Sequence, residues 1–356
     1  RRHLPGIHHT LPMPNPNLKI VVEENIPFLR GLLDRYASVK YLPSGAIDAK
    51  AVADADAIIV RTRTRCDAAL LAGSRCKLVA TATIGTDHID LPWCAQHNIT
   101  VVNAPGCNAP AVAQYVFASL LAVVNRPLAD LTIGIVGIGH VGSIVENWAR
   151  SLGMRVMLCD PPRQLAEGGD HWHTLDEIAS RADIVTFHVP LTVDGDHPTH
   201  HLIGSGFLDS LRRAPVIINS SRGAVADTAA LLRAAKTGKT GPLIIDCWEG
   251  EPDIDRGLLE AATIATPHIA GYSRQGKVRA SQVVLDAVTT MFMLPRITID
   301  QPLPPAPARS VCAWDVAQSY DPMADTSTLK SDPDAFEGLR NHYAFRDEVA
   351  EGRQPD

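Results

Sequence analysis

Thr132-Ile133-Gly134-Ile135-Val136-Gly137-Ile138-Gly139-His140-Val141-Gly142 is the stretch that decides the fold. Its first five residues are an apolar β-type run. Glycines stand at 137, 139 and 142, and Ser143 to Leu152 continues in a helix-compatible pattern. A second β-type run, Arg155-Val156-Met157-Leu158-Cys159, ends at Asp160. A lone glycine pattern is often only a turn. Strand, glycine turn, helix, strand and acid in this order make a dinucleotide-binding unit. Gly137 makes the tight turn, Gly139 lets the backbone approach a pyrophosphate, and Gly142 lets helix and strand pack closely. His140 and Val141 complete the cofactor loop. Asp160 lies 18 residues beyond Gly142, where its carboxylate accepts from a ribose 2′-hydroxyl, so the expected cofactor is NAD.

Outward from this unit the same alternation recurs. β-Type runs occupy 18–23, 38–42, 57–61, 77–82 and 99–103, with helix-compatible segments at 28–37, 48–55, 66–72 and 90–97. Downstream, strands are expected near 183–189, 215–220, 242–247 and 262–266. Strands alternating with helices predict parallel sheets covered on both faces, hence an α/β chain of two doubly wound lobes. The first is flavodoxin-like and the second is a Rossmann lobe. Helices at 109–124 and 274–293 are the crossings between them. The predicted division is an extension at 1–17, a discontinuous first lobe of 18–108 and 270–294, a second lobe of 109–269, and a tail of 295–356. The tail opens with a proline-rich linker, and Lys330 to Asp356 is charged and helix-compatible.

Composition narrows the function. The 356 residues suit two or three domains, and 46% hydrophobic with 20% charged residues excludes wholesale disorder. A net charge of −6 argues against nucleic-acid or anionic-membrane partners. The longest apolar run, Tyr115 to Val124, stops at Asn125-Arg126-Pro127, short of the ~18 residues of a membrane span. The seven cysteines are scattered without a Cys-x-x-Cys pair, which suits reduced, buried thiols in a cytoplasmic protein. Residues 1–17 lack the apolar core of a signal peptide and are expected to be disordered.

Three polar residues fall at the carboxyl ends of predicted strands in the second lobe, where open α/β sheets bind ligands. Arg222 follows Val216 to Ser221, Glu251 follows Ile244 to Gly250, and His268 follows Ile264 to Pro267. Alone, each reads as a surface ion pair or a satisfied histidine. Together they supply a base with a pKa near working pH, a carboxylate to orient it, and a guanidinium fork for a substrate carboxylate. His171-Trp172-His173 and His197-Pro198-Thr199-His200-His201 lack carboxylates or thiols at ligand spacing, so exposed loops are expected there and no metal site. His188 ends an apolar run and is a second candidate for the cofactor lobe. Arg61-Thr62-Arg63-Thr64-Arg65 is either a solvated charge run or an anion site. Thr81-Ala82-Thr83-Ile84-Gly85-Thr86-Asp87 can present hydroxyls and backbone amides to a carboxylate.

With these residues in place, the chain resembles the D-isomer-specific 2-hydroxyacid dehydrogenases, whose arginine, glutamate and histidine match Arg222, Glu251 and His268. A narrower branch is indicated by Glu24-Asn25-Ile26-Pro27, Ala104-Pro105-Gly106-Cys107-Asn108-Ala109, Cys159-Asp160-Pro161-Pro162-Arg163, Trp248-Glu249-Gly250-Glu251-Pro252 and His268-Ile269-Ala270-Gly271-Tyr272. The resemblance covers about 18–293. It is weaker over 296–347, where Phe336 to Tyr343 resembles part of a dimerisation domain. It implies NAD-dependent oxidation of a small phosphorylated 2-hydroxy acid by a homodimer, with the first lobe binding substrate. It assigns Thr62, Thr83 and Tyr272 to the substrate, and Asp160, Ser220, Ser221, Arg222, Asp246 and Gly271 to NAD. Ser220-Ser221, Val189 and Gln114 depart from the family's alanine-cysteine, threonine and glutamate. Arg61 is the expected phosphate ligand, with Arg340 and Arg346 as rivals in the tail. Other 2-hydroxy acids such as 3-phosphoglycerate, and a non-catalytic NAD sensor, remain as alternatives.

Overall fold

In the computed structural model, residues 15–302 and 306–350 are described. Most of the expected N-terminal extension lies outside them. Residues 15–17, however, already belong to the first strand, because the Asn15 amide donates to the Tyr36 carbonyl at 3.2 Å. The chain forms two compact units, one running to Cys107 and resuming at Lys277, the other comprising Asn108–Gly276 and the residues after 305.

The first unit holds β1 (Asn15–Glu23), β2 (Ala37–Leu42), β3 (Ala57–Val60), β4 (Leu78–Thr81) and β5 (Thr100–Val102). They pair in parallel in the order β2-β1-β3-β4-β5, the flavodoxin-like arrangement. Side chains alternate across the sheet. Ile20, Val22, Ile59 and Ala80 pack with Val284, Leu285 and Val288 of the helix Arg274–Met291. Val21, Ile58, Val60 and Val79 pack on the other face with Leu70, Leu71 and Cys94. Burial on both faces explains the near-continuous Val/Ile runs. The helix expected at 28–37 is instead a series of turns. Phe28 at φ 62° and Gly31 at φ 86° take the left-handed conformation that interrupts a helix.

The second unit holds β6 (Thr132–Val136), β7 (Arg155–Cys159), β8 (Ile184–Phe187), β9 (Val216–Asn219), β10 (Leu243–Ile245) and β11 (Ile264–Ala265). Their order is β11-β10-β9-β8-β6-β7, all pairs parallel. A single parallel bridge, Leu158 to Trp172, lies beside β7. The strand order reverses around β6, so the glycine loop that follows it sits at the switch point where such sheets bind ligands. Ile133, Ile135, Ile218 and Ile244 face Tyr115, Phe117 and Trp148. Val136, Phe187, Ile217 and Ile245 face Leu231, Leu258 and Phe336. The helix Ala109–Val123 is buried at every position from Ala109 to Leu120, as an all-round apolar helix must be. The tail forms helices Ala313–Ser319, Pro322–Ser331 and Phe336–Asn341. Among its described residues, Val316 and Tyr320 join the cluster around Trp148, and Leu329 and Phe336 join the cluster around Leu258. From His342 to Ala350 the expected helical character gives way to irregular backbone with a single bridge at Arg346.

Candidate active site

Three loops at successive strand ends build the polar centre of the second unit. After β9, buried Asn219 pins the turn. Its Oδ1 accepts from the Ser221 amide and hydroxyl at 3.2 and 3.0 Å, and its Nδ2 donates to the Arg222 carbonyl at 3.0 Å. Arg222 leaves this turn half-buried, with Nη1 donating to the Ser221 carbonyl at 2.9 Å. Ser220 Oγ is buried without a hydrogen-bond partner among the described residues.

After β10 comes Glu251, and after β11 comes His268. Glu251 Oε1 meets His268 Nδ1 at 2.6 Å, and Glu251 Oε2 accepts from the Trp248 amide at 3.2 Å. A carboxylate at Nδ1 favours the tautomer with the proton there, which leaves Nε2 as the acceptor. Burial alone would raise the Glu251 carboxyl. The His268 charge and hydrogen bond, with Arg340 nearby, bring it below its ordinary value instead. Asp246 lies beneath. Its Oδ1 accepts from the Thr266 hydroxyl at 2.7 Å and the Ile269 amide at 2.8 Å, and its Oδ2 from the Ala270 amide at 3.0 Å. Burial pushes its carboxyl up, and these donors and the His268 charge oppose the shift. The Tyr115 hydroxyl reaches Thr266 Oγ1 at 2.7 Å and extends the network into the 109–123 helix.

The glycine loop fits a dinucleotide. Gly137 has φ 88°, and a Cβ there would lie 2.3 Å from the His188 carbonyl oxygen. A Cβ on Gly142 would lie 2.0 Å from the Gly137 oxygen, whereas one on Gly139 would meet nothing within 4 Å. The loop is closed where the chain folds on itself and open where a pyrophosphate would approach. Gly139 caps the helix His140–Ser151 without a side-chain bond, leaving its first amides for an anion. His140 is exposed and Val141 half-buried at its start. Asp160 Oδ2 accepts from the Ile138 amide at 2.8 Å and Oδ1 from the Arg163 amide at 3.0 Å, which sets the acid beside the loop. Arg163 pairs with Glu167 at 2.7 Å and donates to the Ile138 carbonyl at 2.6 Å. His188 is half-buried against the glycine turn, bonded to Thr186 Oγ1 at 2.9 Å, and desolvation of its ring drives its pKa down to about 3, so it is neutral. Gly271 approaches Asn108 so closely that a Cβ would lie 2.1 Å from Nδ2.

The first unit carries the remaining expected residues. Arg61, expected on a phosphate, is instead bidentate with Glu23: Nε to Oε2 at 2.5 Å and Nη2 to Oε1 at 2.9 Å. Glu23 is 2% exposed, and a buried carboxylate takes the guanidinium as its counter-charge. Thr62 is exposed in the same loop. Thr83 Oγ1 bonds Thr81 Oγ1 at 2.7 Å and donates to the Gly85 carbonyl at 3.0 Å, and Thr81 Oγ1 also meets His88 Nε2 at 3.1 Å.

In the tail, the Tyr272 ring packs edge-on against Tyr343 and Phe345, with centroids 5.9 and 6.4 Å away. Arg340 is 9% exposed and its charge interacts with Tyr272, Glu251 and Glu337. Its Nε has no hydrogen-bond partner among the described residues. Arg346 is bonded to backbone carbonyls of the 269–272 loop. Among the described residues no group of three or more His, Cys, Asp or Glu is placed to hold a metal. His201 pairs with Glu249 at 2.8 Å. No cysteine among them forms a disulfide, and six of the seven are buried. No described helix is long and apolar enough to cross a membrane. Asn219, Thr266, Tyr115 and Glu23 are polar residues inside apolar runs; that interruption was their only sequence signal.

Residues 112–270 match the model of the D-isomer specific 2-hydroxyacid dehydrogenase NAD binding domain. Over 341 residues the chain is 46% identical to the erythronate-4-phosphate dehydrogenase of Bacteroides fragilis, covering 93% of this chain and 97% of that one. It is 41% identical over 353 residues to the enzyme of that name from Escherichia coli, covering 93% and 92%. Among solved structures, the D-lactate dehydrogenase of Aquifex aeolicus complexed with NAD and lactic acid superposes with a TM-score of 0.68 at 28% identity, covering 77% of this chain and 95% of that one.

Proposed function

Because this chain belongs to the D-isomer-specific 2-hydroxyacid dehydrogenases, and within them to the erythronate-4-phosphate dehydrogenases, we propose that it oxidises the C2 hydroxyl of 4-phospho-D-erythronate. The product is 3-hydroxy-2-oxo-4-phosphooxybutanoate, a step towards pyridoxal 5′-phosphate. The observation that carries the reading is the 2.6 Å bond between Glu251 and His268 in the same unit as the glycine loop. NAD, when bound, supplies the acceptor for the hydride that leaves C2. His268 Nε2 takes the hydroxyl proton, and Glu251 holds the ring and stabilises its charged form. Arg222 receives the substrate carboxylate with its fork. Gly137, Gly139, His140, Val141 and Gly142 hold the pyrophosphate, Asp160 the ribose, and Ser220, Ser221, Asp246 and Gly271 the rest of the cofactor. Thr62, Thr83 and Tyr272 contact substrate. We place the protein in the cytoplasm as a homodimer. Trp314, 70% exposed on a tail helix, is apolar surface that a second copy would cover.

Arg340 is the guanidinium we assign to the substrate phosphate. Arg61 is engaged by both oxygens of Glu23 and Arg346 by carbonyls; Arg340 pairs with Glu337 at 3.5 Å, yet its Nε keeps a buried donor without a partner among the described residues. A charge-assisted bond contributes roughly 1.5–3 kcal/mol, so 4-phospho-D-erythronate should exceed D-erythronate in kcat/KM by about 10- to 150-fold. Arg340→Ala is expected to remove most of that preference and Arg61→Ala to retain it. Steady-state NADH formation with both acids, and with 3-phosphoglycerate, tests the function and the assignment together. Equal rates with all three would sink the substrate reading, and a preference that survives Arg340→Ala would sink the assignment. No turnover of any would favour the sensor.

Cofactor choice follows from Asp160. Its carboxylate would repel a 2′-phosphate, and Arg163 is already paired with Glu167. Asp160→Ser should weaken NAD and narrow its advantage over NADP by about tenfold or more, the worth of one charged hydrogen bond. Higher kcat/KM with NADP in the unaltered protein would contradict this.

A further inference from the structure

His268 has φ 58°, a left-handed conformation unfavourable for a residue with a Cβ. Such a conformation persists only when its surroundings over-determine it. Asp246 grips the following segment from one side through the Ile269 and Ala270 amides. The grip from the other side comes from the tail. Arg346 Nη1 donates to the Ile269 carbonyl at 3.1 Å and the Tyr272 carbonyl at 3.5 Å, and Nη2 donates to the Ala270 carbonyl. The same guanidinium reaches the 109–123 helix, with Nη2 to the Ala111 carbonyl at 3.2 Å and Nε to Gln114 Oε1 at 2.9 Å. Its Cζ lies over the Tyr320 ring, 4.4 Å from the centroid. The backbone joins in: Ser273 and Arg346 form a parallel bridge, and the Arg274 amide donates to the Arg346 carbonyl at 2.9 Å. Ser273 Oγ donates to Glu348 Oε1 at 2.7 Å. The peptide groups of Ile269 and Ala270 are thus held by amide on Asp246 and by carbonyl on Arg346.

We propose that Arg346 is a positioning residue for the catalytic histidine, and that the tail segment around it fixes the His268 loop against the 109–123 helix. The inference rests on His268 being the base. Arg346 acts through the backbone and is bonded to protein carbonyls rather than to reacting groups. Its effect is therefore chiefly on kcat, because the larger part of the proposed cofactor contacts, the glycine loop and Asp160, lies outside the segment it grips. Lysine cannot replace it, because one ammonium cannot reach carbonyls on two segments in the plane of a guanidinium.

The experiment compares Arg346→Lys, Gln114→Met and His268→Asn with the unaltered protein, measuring kcat with 4-phospho-D-erythronate and the NAD dissociation constant by calorimetry. Arg346→Lys should lower kcat by about 10- to 100-fold, since a displacement near 1 Å costs about that much, with the NAD constant within about twofold. Gln114→Met removes the Arg346 Nε anchor at similar volume, together with the Gln114 bonds to Ser319 Oγ and the Asp347 carbonyl, and should lower kcat several-fold, with a thermal melt to show that the fold is kept. Unchanged kcat in both variants, or kcat and NAD affinity falling in parallel, overturns the inference. If His268→Asn keeps near-normal turnover, the base assignment is what fails. If His268→Asn is inactive while Arg346→Lys and Gln114→Met are normal, only the positioning role is lost.

Discussion

His268→Ala is expected to lower kcat by about 10²- to 10⁴-fold, the usual worth of a general base, while NAD still binds. The cofactor loop lies after β6 and His268 after β11, so the substitution leaves the glycine turn and Asp160 in place. Glu251 has its main side-chain partner in His268 Nδ1, and loses it in the variant. Burial then acts on that carboxyl unopposed by the imidazole, so it should titrate higher than in the unaltered protein. In the unaltered protein Glu251 is depressed below its ordinary value. Its contribution to stability is present above that ordinary value and is lost only as the pH falls through the depressed one. Steady-state turnover beside NAD calorimetry checks the split. Near-normal kcat in His268→Ala would remove the proton acceptor from the mechanism.

The second large effect concerns the glycine loop, where two neighbouring substitutions should behave differently. In Gly142→Ala the new methyl would sit 2.0 Å from the Gly137 oxygen, a backbone atom that cannot swing away. The helix must shift, at a cost of about 1–3 kcal/mol or more, so both the melting temperature and NAD affinity should fall, affinity by about 10- to 100-fold. In Gly139→Ala the methyl meets nothing within 4 Å. Its melting temperature should stay close to that of the unaltered protein, yet NAD should bind much more weakly, because the methyl occupies the pyrophosphate's approach. Thermal melts with and without NAD distinguish the two. An unaffected NAD constant in Gly139→Ala would mean the pyrophosphate lies elsewhere.

Much of this was legible because the governing signals are local. The run Thr132 to Val136, the three glycines and Asp160 lie within one strand–helix–strand unit and carry their own context. The Glu251–His268 contact was legible because both residues follow neighbouring strands, β10 and β11, whose carboxyl ends converge in a parallel sheet. The Arg61 pairing was not, since Glu23 lies 38 residues away and reads locally as the end of an apolar run. The turns at 28–37 were missed because their composition suits a helix while φ at Phe28 and Gly31 does not. In the sequence Arg346 reads only as a possible phosphate ligand. Its partners at Ala111, Gln114, Ile269 and Ala270 lie 76 to 235 residues away, and no periodicity encodes such contacts.

Hydride transfer from C2 is the central claim, and isotope transfer tests it most directly. 4-Phospho-D-erythronate carrying deuterium at C2 would be incubated with the protein and NAD, and the nucleotide examined by mass spectrometry. The account predicts NADH bearing one deuterium, formed together with the 2-oxo acid and reduced to background in His268→Ala. NADH without deuterium, label released to water, or no reduced nucleotide at all would contradict it.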